Sequence, residues 1–264
     1  MALSLHSADV LSTTVNRLRA AGCVFAEEEA ALLVTEATGP EHLADLVARR
    51  VAGAPLEVIL GWATFCDLRI EVDAGVFVPR RRTQFLVHRA VALARPDPVV
   101  VDLCCGTGAI GVAVATAVPG TVLHAADIDP AAVRCASRNV ARVGGHTCCG
   151  DLYSPLPGYL CGQVDLLLVN APYVPTDEIA MMPPEARDHE PRQALDGGPD
   201  GISIHRRVAS EAARWLRPGG HLLIESSGQQ APLTVEAMRE GGLDTRVDRS
   251  AELHSTVVAG TYSV

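Results

Sequence analysis

The chain reads as an α/β protein built on a doubly wound, mostly parallel sheet of seven strands. Three observations carry that expectation. Apolar runs of strand length recur from residue 99 onward, and segments with helical spacing separate them. The first run, 99–103, leads into Gly106-Thr107-Gly108-Ala109-Ile110-Gly111. A later run, 165–169, delivers Asn170-Ala171-Pro172-Tyr173. Ligands of open α/β sheets sit beyond the carboxyl ends of the strands, so both stretches fall where a site belongs.

The 264 residues suit one large domain with a small accessory one, and allow a substantial core. Hydrophobic residues make up 48% but aromatics only 4%, so that core is expected to be mostly Ala, Val and Leu. The net charge is -9, and all 22 of the Lys+Arg positions are arginine. Such a balance weighs against a general duplex-DNA binder, which would show a basic face. It leaves a protein or small-molecule substrate open. None of the eight cysteines forms a Cys-x-x-Cys pair, and Cys104-Cys105 and Cys148-Cys149 are adjacent, a poor spacing for zinc or ordinary disulfides. With no secretory signal or membrane-length apolar stretch, reduced thiols and a cytoplasmic protein are expected. The nine histidines show no metal-ligand spacing, and no metal is expected.

Residues 1–52 read as a small helical module. Leu11, Val15 and Leu18 make one stripe, Ala30, Leu33, Val34 and Ala37 a second, and Leu43, Leu46 and Val47 a third. Short helices are marginal alone and must pack together. The module either caps the main domain or grips a macromolecular substrate. Residues 53–82 read as a β-hairpin connector, with a β-like run over 66–72 and a break at Asp73-Ala74-Gly75. The main domain, 83–264, opens with a helix over 83–94 and the hinge Arg95-Pro96-Asp97-Pro98. After the strand at 99–103, glycines at a strand-to-helix turn let a ligand approach the backbone, and the helix start favours a negative group. Gly-x-Gly-x-x-Gly alone is a weak signal. A second strand, 121–126, ends at Asp127, an acid that can accept both hydroxyls of a ribose. A helix from Pro130 to about 143 comes next, then a short strand over 146–149 and Gly150-Asp151-Leu152. Asp151 can accept from the exocyclic amine of an adenine while Leu152 packs on its face; a plain turn cap is the alternative. Residues 174–200 read as a long, Pro-rich, charged loop, and loops of that length are functional or disordered. Then come a helix over 202–216, a turn at Arg217-Pro218-Gly219-Gly220, and strands at 221–225, 243–247 and 256–262.

The glycine turn and Asp127 fit any adenosine-bearing cofactor, NAD included, since Asp127 lies 21 residues after Gly106. Two features point away from NAD. Asp102 can hold the glycine turn and, through water, an amino-acid ammonium. Asn-x-Pro-Tyr suits transfer to a planar NH2 group rather than hydride transfer. An amide or aromatic amine nitrogen is a poor nucleophile because its lone pair is delocalised. The side-chain oxygen of Asn170 and the carbonyl of residue 171 can each accept one N–H and hold that group in line with a methyl sulfonium. Those bonds strengthen as the nitrogen becomes tetrahedral and positive. Pro172 stiffens the exit, and Tyr173 can stack on the planar acceptor. A simple Asn/Pro turn is the alternative reading.

With these blocks in place, roughly residues 50–230 resemble the HemK/PrmC family of protein-(glutamine-N5) methyltransferases, which methylate the Gly-Gly-Gln glutamine of peptide release factors. Phe77-Val78-Pro79-Arg80 with Thr83 looks like that family's Pro-Arg approach to the core. Asp102-Leu103-Cys104-Cys105-Gly106-Thr107-Gly108 looks like its cofactor loop, and Asn170 to Tyr173 like its Asn-Pro-Pro-Tyr signature. Glu190-Pro191-Arg192-Gln193-Ala194-Leu195 and Gly197-Gly198-Pro199-Asp200-Gly201 look like the family's next block, and Glu225 with Gln229 like a late one. Asn-Pro-Pro-Tyr also occurs in DNA adenine and rRNA methyltransferases; the Glu190 block narrows the choice. Three positions depart: Ala171 for proline, Cys104 for glycine and Gln84 for glutamate.

The resemblance implies a class I methyltransferase (Rossmann-like) fold and S-adenosyl-L-methionine as cofactor. It implies cofactor contacts from Asp102, Cys104, Cys105, Gly106, Thr107 and Gly108, and from Asp127, Asp151, Leu152 and Asn170. Asn170, Ala171, Pro172 and Tyr173 would form the catalytic segment, with Phe77, Arg80 and Glu190 as further substrate contacts. The implied partner is a peptide chain release factor, with no membrane and no direct nucleic acid. A paralogue methylating a nucleic-acid base or small-molecule amine, or a non-catalytic cofactor-binding homologue, are the alternatives.

Overall fold

The computed structural model describes residues 8–263, without the side chains of 184–186. The first seven residues of the expected helical module lie outside the described residues. Helices α1 (Ala8–Ala20), α2 (Ala26–Glu36) and α3 (Pro40–Val51) come in order. Leu18, Leu33, Val34, Leu43, Leu46 and Val47 meet in one apolar cluster. Leu11 does not; it stays exposed.

The connector holds a short helix as well as the expected hairpin. Pro55 leads into a short helix, α4 (Leu56–Leu60), which ends at Gly61 with φ of 76°. Ile59 carries the α4 turn into the α1–α3 cluster. Strands β1 (Trp62–Phe65) and β2 (Leu68–Glu71) then form the hairpin. Its turn is Cys66-Asp67, with φ of 48° and 60°, and not Asp73-Ala74-Gly75. Two consecutive positive φ values match the twist of a tight two-residue hairpin. The run over 66–72 is therefore half turn and half strand.

The remaining elements are α5 (Gln84–Leu93), β3 (Val99–Leu103), α6 (Ala109–Ala117), β4 (Val122–Asp127), α7 (Pro130–Ala141), β5 (His146–Cys149) and β6 (Val164–Val169). They continue with α8 (Pro184–His189), α9 (Ser203–Trp215), β7 (Leu216–Ser226), α10 (Ala231–Glu240), β8 (Asp244–Ser250) and β9 (Ser255–Thr261). Seven strands pair in the order β5-β4-β3-β6-β7-β9-β8. Only β9 runs against the others. Strand order reverses between β3 and β6, and that switch point opens the crevice where ligands bind.

Both faces of the sheet are covered, which makes the central strands continuously apolar rather than alternating. Every residue of β6 is buried. Val100, Leu166, Leu168 and Leu223 face α5, α6 and α7. Val101, Leu167, Val169 and Ile224 face α9 and α10. Helix α10 has no counterpart among the elements expected from the sequence. The Arg217–Gly220 stretch belongs to β7, whose pairing with β6 shifts register between Val164 and Leu166. Residues 174–200 are not a structureless loop: they hold α8 and 3-10 turns at Thr176–Met181 and Arg192–Ala194. Among the described residues, no helix is long and apolar enough to cross a membrane.

The hairpin is pinned to α7, which carries the next segment over the strand ends. The buried Asn139 side chain accepts from the Glu71 N–H (2.9 Å) and donates to the Glu71 and Thr107 carbonyls (3.0 and 2.9 Å). Arg138 and Arg142 both pair with the Glu71 carboxylate.

At the amino ends of the strands, buried Asp165 accepts from the Val99 N–H at 2.8 Å and pairs with Arg95 and Arg217. Burial pushes this carboxyl up, but the two arginines and the Val99 N–H outweigh it, so its pKa lies below the ordinary value. A depressed folded-state pKa contributes stability above the carboxylate range and loses it as pH falls through that range. Asp165→Ala should cost about 1–3 kcal/mol at neutral pH, read from the denaturant midpoint. It should also flatten the acid limb of the stability curve; an unchanged acid limb would contradict this role.

Candidate active site

A cavity of about 450 Å³ lies beyond the carboxyl ends of β3, β4 and β6. One group of its lining residues is Cys104, Cys105, Gly106, Thr107, Asp127, Asp151, Leu152 and Arg207. A second is Phe77, Arg80, Arg82, Asn170, Ala171, Pro172, Tyr173 and Glu190.

Asp127 ends β4 and is fixed by two backbone donors. Its Oδ2 accepts from the Gly106 N–H at 2.8 Å and its Oδ1 from the Asp129 N–H at 2.9 Å. Each carboxylate oxygen keeps a second acceptor site. Burial raises the pKa of this acid, against the pull of those N–H groups. Gly106 has φ of 54°, and a Cβ there would lie 3.9 Å from Phe77, so the glycine loop runs directly beneath the Phe77 segment. Cys104 also has positive φ, 55°. A non-glycine residue in that conformation costs about 1–2 kcal/mol. The family glycine expected at this position is thus a backbone requirement that Cys104 meets under strain.

Two expected cofactor contacts are placed elsewhere. Asp102 is fully buried, does not line the cavity, and accepts from the Gly111 N–H at 2.9 Å. It anchors the first turn of α6 from below, while its Oδ1 has no partner among the described residues. Burial pushes its pKa up to about 8. Gly108 is also absent from the lining; a Cβ there would stand 2.9 Å from a Val140 methyl, so its smallness lets the loop pack on α7. Asp151 lines the cavity and its Oδ2 accepts from Arg207 Nη2 at 2.6 Å. Arg207, on α9, carries no signal in the sequence.

Asn170 emerges from the buried end of β6, and its side chain has no hydrogen-bond partner among the described residues. The methyl of Ala171 is packed in the core beneath. The backbone from Tyr173 onward is tightly braced. Val174 N–H donates to the Leu195 carbonyl (3.0 Å) and Gly197 N–H to the Val174 carbonyl (2.8 Å), a parallel bridge between two loops. Gln230 Nε2 donates to the carbonyls of Tyr173 (2.8 Å) and Asp200 (3.1 Å). A Cβ on Gly197 would sit 2.7 Å from Tyr173 Cα, and one on Gly201 would sit 2.4 Å from the Tyr173 carbonyl oxygen. The glycines of this block are therefore demanded by close backbone approach. Gln230, rather than the exposed Gln229 singled out by the resemblance, makes the contact.

Tyr173 and the arginines share buried carboxylates. Glu225 Oε1 accepts from Tyr173 OH at 3.4 Å and from Arg82 Nε at 3.3 Å, and the Arg82 guanidinium lies 5.8 Å from the Tyr173 ring centroid. Burial, then the Glu225 charge, pushes the Tyr173 phenol up to about 12, so it stays protonated. Glu190 pairs with Arg80, which covers the Phe77 ring at 5.2 Å, and burial raises the Glu190 pKa. Phe77, Arg80 and Glu190 are legible in the sequence; Arg82 is not. Among the described residues, no group of three or more His, Cys, Asp or Glu side chains could hold a metal ion.

Comparison with known proteins gives the family and the fold. Residues 67–183 match the model of the methyltransferase small domain. The chain is 40% identical to release factor glutamine methyltransferase of Mycolicibacterium smegmatis, over 84% of this chain and 80% of that one. It is 42% identical to the Gloeobacter violaceus protein of the same name, over 75% and 71%. The chain belongs to the release factor glutamine methyltransferase family. A methyltransferase structure from Pyrococcus furiosus shares the fold, with a TM-score of 0.60 at 16% identity, over 82% of this chain and 100% of that chain. Within this family member, the Glu190–Gly201 block acts as the clamp on Tyr173.

The clamp makes a sharp demand. Gly201 has φ of 75°, and a Cβ there would also lie 2.1 Å from Gln230 Nε2. Gly201→Ala is expected to break both Gln230 bonds and cost about 2–4 kcal/mol, from backbone strain plus the lost buried bonds. A melting temperature within a degree or two of wild type would show that the clamp is not needed.

Proposed function

We propose that this chain transfers a methyl group from S-adenosyl-L-methionine to the side-chain amide nitrogen of a glutamine in a peptide chain release factor. The observation that carries this is Asn170: its amide borders the cavity with no partner among the described residues, on a backbone braced immediately downstream. The relatives' shared name supports the release-factor glutamine as acceptor. The free state of all eight cysteines suits a reducing cytoplasm.

When bound, S-adenosyl-L-methionine supplies an electrophilic methyl on a sulfonium. The chain's own residues hold and aim. Asp127 has acceptor capacity left for ribose hydroxyls. Oδ1 of Asp151, whose other oxygen is held by Arg207, is available to an adenine amine, and Leu152 packs beside it. Positive φ at Leu152, 48°, bends the backbone so that Asp151 and Leu152 both border the cavity. Asn170 Oδ1 and the carbonyl of Ala171 accept the two N–H bonds of the acceptor amide. That binding localises the lone pair toward the methyl and strengthens as positive charge develops on nitrogen. Tyr173 is a neutral phenol tied to Glu225, so it serves as a wall for the planar amide and not as a base. No base is needed first, because the methylated nitrogen is strongly acidic and its proton leaves to water.

The test uses labelled S-adenosyl-L-methionine and a purified release factor with its Gly-Gly-Gln glutamine intact or replaced. Label should depend on that glutamine. Asn170→Ala should lower turnover roughly 100-fold while cofactor affinity changes little. Asp127→Ala should instead weaken cofactor binding about tenfold or more. Wild-type labelling of the glutamine-replaced factor, or full activity in Asn170→Ala, would overturn the assignment.

A further inference from the structure

Beside the cavity the chain runs through three consecutive arginines, Arg80, Arg81 and Arg82, although its net charge is -9. Arg80 and Arg82 line the cavity beside Tyr173. Internally, Arg80 Nη2 donates to Glu190 and Arg82 Nε to Glu225. The carboxylates are inside and the cations outside: side-chain exposure is 3% for Glu190 and 2% for Glu225, against 36% for Arg80 and 49% for Arg82. Arg81 is exposed and has no hydrogen bond or ion pair among the described residues. The rim thus presents the guanidinium groups of Arg80 and Arg82 over two buried carboxylates, with exposed Arg81 between them in the chain. Neither nitrogen at the tip of Arg82 is taken up by Glu225, and together they are the fork that accepts a carboxylate bidentately.

We propose that Arg80, Arg81 and Arg82 form a docking rim for an acidic segment of the acceptor protein, seated next to the glutamine that enters the cavity. This deepens the proposed function and rests on it for the identity of the acceptor as a protein. The rim is tied to the reactive segment, because Arg82 and Tyr173 share one oxygen of Glu225. A carboxylate on the Arg82 fork is therefore held at a set distance from the acceptor amide. Burial raises the pKa of both Glu190 and Glu225, against the pull of the arginines. A protein segment fits better than a nucleic acid: the positive patch is only three residues wide, and the chain's overall negative charge repels a long polyanion.

The experiment compares two glutamine-bearing peptides that differ only in Asp/Glu against Asn/Gln at the flanking positions. Their binding to the full chain with S-adenosylhomocysteine is read by fluorescence anisotropy. The acidic peptide should bind about fivefold tighter at low salt, and high salt should erase the difference. Arg81→Glu, which breaks no internal pair, should abolish or invert the preference while S-adenosylhomocysteine affinity stays unchanged. Arg82→Lys should keep the charge but lose part of the preference, because it lacks the fork. Equal affinities, no binding of the acidic peptide, or a preference untouched by Arg81→Glu would overturn the proposal. So would a short RNA that binds more tightly than the acidic peptide and depends on Arg81. Methyl transfer to the same peptides reports the proposed function separately. Preference without transfer would spare the rim and sink the glutamine reading; transfer without preference would do the reverse.

Discussion

The exit of β6 is held by backbone contacts, and the chemistry proposed for the site depends on that hold. The Tyr173 carbonyl is gripped by Gln230, and Gly197 and Gly201 approach the Tyr173 backbone so closely that no side chain fits between. On the other side, the six residues of β6 are fully buried and cannot slide. Asn170 stands between these two fixed points. A side chain meant to orient a weakly nucleophilic amide gains most when its own position costs nothing to fix at the moment of reaction. The brace also accounts for Ala171: proline would add rigidity, but the segment is already pinned through Glu225 of β7 and Gln230, the residue just before α10.

A second constraint is electrostatic. Asp102, Glu190 and Glu225 are buried carboxyls raised by desolvation, and each has one oxygen with no partner among the described residues. Such groups are expensive to bury and are kept where they position something. Asp102 holds the first turn of α6, Glu190 holds Arg80, and Glu225 holds both Arg82 and Tyr173. Asp102 and Glu225 lie behind the cavity wall, Glu190 borders the cavity while almost fully buried, and the heads of Arg80 and Arg82 are the more exposed partners.

The legible part of the sequence is local. The apolar runs of β3 and β6, the glycine turn, Asp127 and Asn170–Tyr173 all announce themselves within a few residues, and the structure brings them to one crevice. The illegible part depends on partners far along the chain. Arg207 reaches Asp151 across 56 positions and Gln230 reaches Tyr173 across 57. The Cys66-Asp67 turn is hidden because neither residue is a usual choice for positive φ in tandem, although Asp tolerates it. Helix α10 lies in a stretch, Ala231–Glu240, whose early proline looks like a breaker but occupies the first helical turn, where proline is tolerated. The 174–200 segment reads as loose because its order comes from the bridge to Asp196, not from any periodicity of its own.

The most direct measurement is a crystal structure of the chain with S-adenosylhomocysteine and a release-factor domain bearing the glutamine. The seat formed by Asn170 and residue 171 requires the glutamine amide nitrogen within about 3 Å of both the Asn170 side-chain oxygen and the Ala171 carbonyl. It also requires the sulfur of the bound product to lie in line with that nitrogen. An acceptor amide seated elsewhere in the cavity, with Asn170 turned to another partner, would contradict it.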